Sequence, residues 1–114
     1  MEKRTINVLG TAYVLKICTE QEDERLKGYD GATDNTTKEL LVESYEGADA
    51  EGLKGNLRAQ IDKNKRHEII HAFLCESGLA ENSTDQWALN EEMVDWIAMQ
   101  FPKLLQAFEA ADAI

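Results

Sequence analysis

The chain holds two histidines, and they stand four residues apart in His67-Glu68-Ile69-Ile70-His71. On a helix that spacing puts both imidazoles on one face, close enough to meet at one metal ion. Glu68 projects one step round the helix and can reach a water held by that ion. Two imidazoles beside a carboxylate are the parts of metal-assisted hydrolysis, in which the metal activates water and the glutamate takes its proton. The competing reading is a pair of surface histidines on an amphipathic helix, with Glu68 a solvated neighbour. Two conditions separate the readings: the five residues must lie on a helix, and a third protein ligand must exist.

The helix condition is met by the local sequence. From Asn56 to Ser77 there is no Gly or Pro, and Leu57, Arg58, Ala59, Gln60, Lys63, Lys65 and Arg66 are good helix formers. Asn56 is an N-cap residue and Gly78 a natural C′ residue. Ile70, Phe73, Leu74 and Ser77 fall at helical spacing and are expected to form the buried face, leaving His67 and His71 to look across a cleft.

A third ligand is available further on. Nineteen residues separate His71 from Glu91, which opens Glu91-Glu92-Met93-Val94-Asp95 after Asn90. Asn90 can cap a second helix whose apolar positions Met93, Val94, Ile97 and Phe101 follow the 3.6-residue period. Glu91 and Asp95 share one face of it. A carboxylate there would complete a His2Glu zinc site with the fourth position left for water, and Asp95 could accept the outer N–H of a liganding histidine. Taken alone, Glu91 is an ordinary acid in a helix first turn, where the dipole favours it; the histidines give it the second reading. Cys75 follows His71 by four and shares its face, but three consecutive i+4 positions span too far for one tetrahedral ion. It reads as a packed thiol.

HEIIH followed by NEEMVD resembles the gluzincin pattern, in which HExxH precedes Asn-Glu-x-x-x-Asp on a later helix. The wider stretch, HEIIHAFLCESGL through NEEMVDWIAMQFPKL, is similar to small phage and prophage zinc peptidase-like proteins, related at motif level to the ImmA/IrrE metallopeptidases. The resemblance covers residues 55–108; residues 1–54 match only in layout. It implies a zincin-like minimal domain with His67, His71 and Glu91 as zinc ligands, Glu68 as general base, and Asp95 as the partner of His67 behind the metal. The chain departs from ImmA/IrrE proteins after Ala98, where Met99-Gln100-Phe101-Pro102 replaces their Leu-Leu-Met-Pro-like run.

Composition bounds the rest. At 114 residues, with 43% hydrophobic and 30% charged residues, the chain reads as one soluble domain, residues 1–114, with a modest core. A net charge of −10 argues against a nucleic-acid surface, which needs a concentrated basic face. Lys63, Lys65 and Arg66 form a small basic cluster that reads as a solvated helix flank. No apolar run reaches the length of a membrane span, and Met1-Glu2-Lys3-Arg4 leads into no signal-peptide core, so a cytoplasmic location is expected. Cys18 and Cys75 have neither metal-knuckle nor disulfide spacing.

The elements that must carry the site follow from pattern. Thr5–Leu9 and Ala12–Cys18 read as a hairpin about Gly10-Thr11, and Ala32–Thr33 with Glu39–Glu43 as a second about Asp34–Lys38. Thr19–Lys27 is a charged loop or short helical turn. Gly47, Gly52 and Gly55 loosen the approach to the motif helix, whose start could lie as early as Asp49. After a polar connector over Leu79–Leu89, the second helix runs from Asn90 to about Phe101. Pro102 then opens a third helix, Pro102–Ala111, that buries Leu104, Leu105 and Phe108. The expected fold is α+β: a small, mostly antiparallel sheet followed by three helices, with the site between two helices and a sheet edge. Leu40–Glu43 is the candidate edge strand for pairing with an extended peptide, against the alternative of an ordinary core strand.

The function expected from these residues is zinc-dependent hydrolysis of a peptide bond, in a regulatory protein or peptide. The alternatives are a metal-binding interaction protein without turnover and an acidic binding module without metal. Neither a nucleic acid nor a membrane is expected as partner. Tyr13, Tyr29 and Tyr45 are the only tyrosines, and nothing in the spacing assigns one to a developing oxyanion.

Overall fold

The structure, a computed structural model, describes residues 1–46 and 55–114. Gly47, Gly52 and the alternative helix start at Asp49 lie outside the described residues.

Strands β1 (Glu2–Val8) and β2 (Thr11–Cys18) form the first hairpin. Its two-residue loop, Leu9-Gly10, has φ of 53° and 92°. Positive φ at both central positions is what a type I′ turn requires, and its twist matches that of the strands. Strands β3 (Gly31–Asp34) and β4 (Glu39–Glu43) form the second hairpin. The sheet order is β1-β2-β4-β3, with β2 and β4 parallel, so the sheet is mixed rather than purely antiparallel.

That order corrects one expectation. Leu40–Glu43 is not an edge: β4 lies between β2 and β3, and Leu40, Leu41 and Val42 are fully buried. The short strand β3 is the edge on that side. A run of three consecutive buried apolar residues is what a strand covered on both faces requires.

Alternation along the strands gives the sheet two faces. Tyr13, Leu15, Ile17, Leu40 and Val42 point to one face and form the main core with Val8 and Ala72. Cys18, Leu41 and Leu26 form a second cluster on the other face, beneath the 3-10 turn Glu24–Leu26.

Helix α1 (Leu57–Glu76) packs across β4 and β3. The Asn56 side chain accepts a hydrogen bond from Ala59 N at 3.0 Å, and Gly78, with φ of 84°, follows the C-cap Ser77. Both ends lie where the sequence placed them. The buried face does not. Asn64, Glu68 and Ala72 are the buried residues, with Ile61 and Ile69 packed on the core, whereas Phe73 and Ser77 are exposed and Ile70 and Leu74 half-buried. Two polar side chains at the sheet interface hide the true face from hydropathy. At the far end of α1, the Glu76 carboxylate accepts from Thr11 Oγ1 at 3.1 Å, from Tyr13 Oη at 2.8 Å and from Lys38 Nζ, which ties the helix to the sheet.

After α2 (Leu79–Asn82) and a kinked 3-10 stretch over Thr84–Leu89, helix α3 spans Glu91–Ala110. Asn90 caps it by accepting from Met93 N at 2.7 Å. The expected break at Pro102 is absent: α3 runs through the proline as one helix. Proline has no N–H, so the carbonyl four residues earlier, that of Ala98, loses its helical partner. Arg66 Nε on α1 donates to that carbonyl oxygen at 2.6 Å. The orphaned acceptor is therefore satisfied from the neighbouring helix, which removes one of the two costs of carrying a proline inside α3. Val94 and Ala98 are buried; Leu104 and Leu105 are half-buried and Phe101 and Phe108 exposed, so the C-terminal turns bury less than expected. No helix among the described residues is long and apolar enough to cross a membrane.

Candidate metal centre

Helices α1 and α3 meet along the faces carrying the motif residues, and β3 closes the third side. Between them lies a cavity of about 660 Å³ whose walls include Gly31 and Thr33 from β3, His67, Glu68 and His71 from α1, and Glu91 and Asp95 from α3.

His67 Nε2 and His71 Nε2 face one another at 3.1 Å. The Glu91 carboxylate reaches both, with Oε2 2.9 Å from His67 Nε2 and Oε1 3.0 Å from His71 Nε2. One ligand atom from each residue can be drawn with all three lying within 4.8 Å of one another. A tetrahedral zinc with bonds of about 2.0–2.1 Å holds its ligand atoms about 3.3 Å apart. The three residues therefore sit close to the separation that such an ion demands.

His67 Nδ1 lies 3.0 Å from Asp95 Oδ1, an acceptor, so Nδ1 is the donor of that bond and Nε2 is the nitrogen turned toward His71 and Glu91. Two imidazole nitrogens and a carboxylate meeting at one point are a donor set that a shared divalent cation suits. The residues present fit a divalent metal.

Asp95 is itself held. Its Oδ1 also accepts from Lys63 Nζ at 2.9 Å, and the Lys63 hydrogen bond, with a further contribution from His67, keeps its carboxyl below the usual range against the opposing effect of burial. Lys63 is thus part of the site's support rather than a solvated flank. The same correction applies to Arg66 through Ala98, while Lys65 makes an ion pair with Asp62 at 3.4 Å.

Glu68 lies beside the ligand triad on its sheet side, with its side chain 8% exposed and its Oε2 3.9 Å from His67 Nε2. Thr33 Oγ1 donates to Glu68 Oε1 at 2.9 Å. Burial pushes the Glu68 carboxyl up, opposed by the Thr33 hydrogen bond and by the two imidazoles.

The other candidates fall outside the converging set. Among the described residues the set is His67, His71 and Glu91; Cys75 lines the same cavity without joining it, and burial raises its thiol pKa. Of the tyrosines, Tyr13 Oη is committed to Glu76 and Tyr45 Oη to Asp30 at 2.7 Å, whereas Tyr29 is exposed on the cavity wall. Arg25 also lines the cavity, but its guanidinium is spent on Asp23, Asp34 and Glu39.

Sequence reasoning missed Thr33, Gly31, Lys63 and Arg66 as parts of the site or its frame. For Lys63 a signal existed in its placement one turn before His67, and Arg66 stands immediately before it; both reach α3. For Thr33 there was none, because its role depends on which strand forms the edge.

No protein-family model matches the chain, and no curated protein or solved structure matches it either.

Proposed function

We propose that the chain is a zinc-dependent peptidase acting on an extended segment of a peptide or protein, with no nucleic acid or membrane as partner. One observation carries the reading: two imidazole nitrogens and a carboxylate oxygen converge within 4.8 Å, with Asp95 behind one imidazole. His67, His71 and Glu91 would hold the ion. Bound zinc would supply a water acidic near neutral pH and a Lewis acid for the scissile carbonyl, using the position left open by three protein ligands.

The chain's own residues do the rest. Glu68, on the sheet side of the triad, accepts the proton of the attacking water and returns it to the leaving amine. Asp95 fixes the tautomer and orientation of His67. Among the described residues strand β3 pairs with β4 alone, which makes it the sheet edge beside the cavity. Its free backbone groups can align a substrate strand. Tyr29, exposed on the cavity wall, is the tyrosine we assign to a developing oxyanion. Two free thiols, Cys18 and Cys75, suit a reducing cytoplasm, where we place the protein.

A second reading, a metal-binding interaction protein without turnover, is favoured by the commitment of Tyr13, Tyr45 and Arg25 to structural partners. The two readings separate on hydrolysis of a quenched fluorescent peptide library by zinc-loaded protein. The peptidase reading expects cleavage that a chelator stops, and a loss of about 10²–10⁴-fold in Glu68→Gln with zinc retained. Zinc binding with no cleavage of any pool would favour the interaction protein.

A further inference from the structure

Gly31 and Thr33 stand two apart on β3 and so share the sheet face that looks at α1. Both meet Glu68. Thr33 Oγ1 is 2.9 Å from Glu68 Oε1 and 3.3 Å from the Glu68 carbonyl oxygen, so its single hydrogen goes to the nearer carboxylate. Among the described residues it is the only hydrogen-bond donor to that carboxylate. At Gly31 a Cβ would lie 2.6 Å from Glu68 Oε2 and 3.0 Å from its Cγ and Cδ. The missing side chain is therefore the space that the glutamate occupies. With φ outside the left-handed region, Gly31 is needed here for room and not for backbone conformation.

A glutamate carboxylate, carried on three rotatable bonds, is otherwise free to turn either oxygen toward the cavity. With Oε1 tied to Thr33, Oε2 is the oxygen left on the His67 side, at 3.9 Å from Nε2. Rate in general base catalysis depends on such placement, and a misplacement of about 1 Å can cost about a hundredfold. We propose that β3, through the Thr33 hydroxyl and the absent side chain of Gly31, positions Glu68 for proton transfer. Thr33 is a positioning residue that acts through Glu68, and the assignment rests on the peptidase reading above.

The test uses the full chain loaded with Co2+, whose visible bands respond to the ion's ligands and their hydrogen bonds, in wild type, Thr33→Val, Thr33→Ser, Gly31→Ala and Glu68→Gln. Circular dichroism checks the fold of each. All five should bind the ion with affinities within about threefold, because none is a ligand. Thr33→Val and Gly31→Ala should shift the bands in the direction of Glu68→Gln, the first by removing the bond and the second by displacing the carboxylate. Thr33→Ser should restore the wild-type spectrum. On the peptide library, Thr33→Val should lower kcat about tenfold to a hundredfold with KM unchanged, and Thr33→Ser should recover it. Wild-type spectra in both Thr33→Val and Gly31→Ala would overturn the proposal while leaving the metal site standing. A wild-type protein that takes up no Co2+ would instead remove the reading on which it rests.

Discussion

Replacing Asp95 with asparagine keeps the size of the side chain and removes its charge. In the folded protein one oxygen, Oδ1, accepts from His67 Nδ1 at 3.0 Å and from Lys63 Nζ at 2.9 Å. An asparagine carbonyl can still accept from His67, but as a neutral group it makes the ring a weaker donor to the metal. Losses of this kind cost about tenfold to a hundredfold in metal affinity, or about 1.4–2.8 kcal/mol. Lys63 repels a bound cation whether or not Asp95 carries charge, so it leaves this difference unchanged. The expected result for Asp95→Asn is zinc binding weakened by about thirtyfold, read by competition with a chromophoric chelator at neutral pH. Lys63→Met should act in the opposite direction, tightening zinc by about threefold, and it should recover part of the loss in the double variant. An Asp95→Asn affinity within twofold of wild type would refute the role given to Asp95. A Lys63→Met protein as weak as Asp95→Asn would show that Lys63 holds Asp95 in place more than it opposes the ion.

Arg66→Met leaves the Ala98 carbonyl without a partner and should cost about 1–3 kcal/mol in urea unfolding. In a Pro102→Ala background the helix supplies its own N–H, so the same change should cost clearly less; equal costs in the two backgrounds would refute the coupling. Glu39 is held down to about 2, chiefly by the Lys16 hydrogen bond, with Thr37 and Arg25 adding to it. Its pKa is lowered on folding, so it contributes stability that is complete above the unfolded value of about 4.3 and is lost as pH falls toward about 2. Glu39→Gln should therefore cost about 1–2 kcal/mol at pH 7, after a discount for solvent screening, and should flatten unfolding against pH in that window. A variant curve parallel to wild type across the window would contradict the assignment.

Local signals were legible in the sequence where local chemistry decides the structure. The limits of α1 follow from Asn56 and Gly78, the start of α3 from Asn90, and both hairpins from turn residues between apolar runs. The grouping of His67, His71, Glu91 and Asp95 was readable because each i+4 pair shares one helix face and the residue types of the two pairs together are those of one metal site. What failed depended on partners far away in the chain. The buried face of α1 was misread because Asn64 and Glu68, two polar residues, occupy it. The break at Pro102 was misread because the compensating donor, Arg66, sits on another helix. The edge strand was misplaced because the parallel pairing of β2 with β4 inserts β4 into the sheet, and periodicity within a strand says nothing of its neighbours.

The proposed chemistry requires that three side chains hold one zinc ion. Elemental analysis of full-length protein, purified without a histidine tag and exposed to zinc before exhaustive dialysis, addresses it most directly. About one zinc per chain is predicted for wild type and for Glu68→Gln, and almost none for His71→Ala or Glu91→Ala. A wild-type chain that retains no zinc, or one that retains it undiminished after Glu91→Ala, would contradict the ligand set on which the proposed chemistry depends.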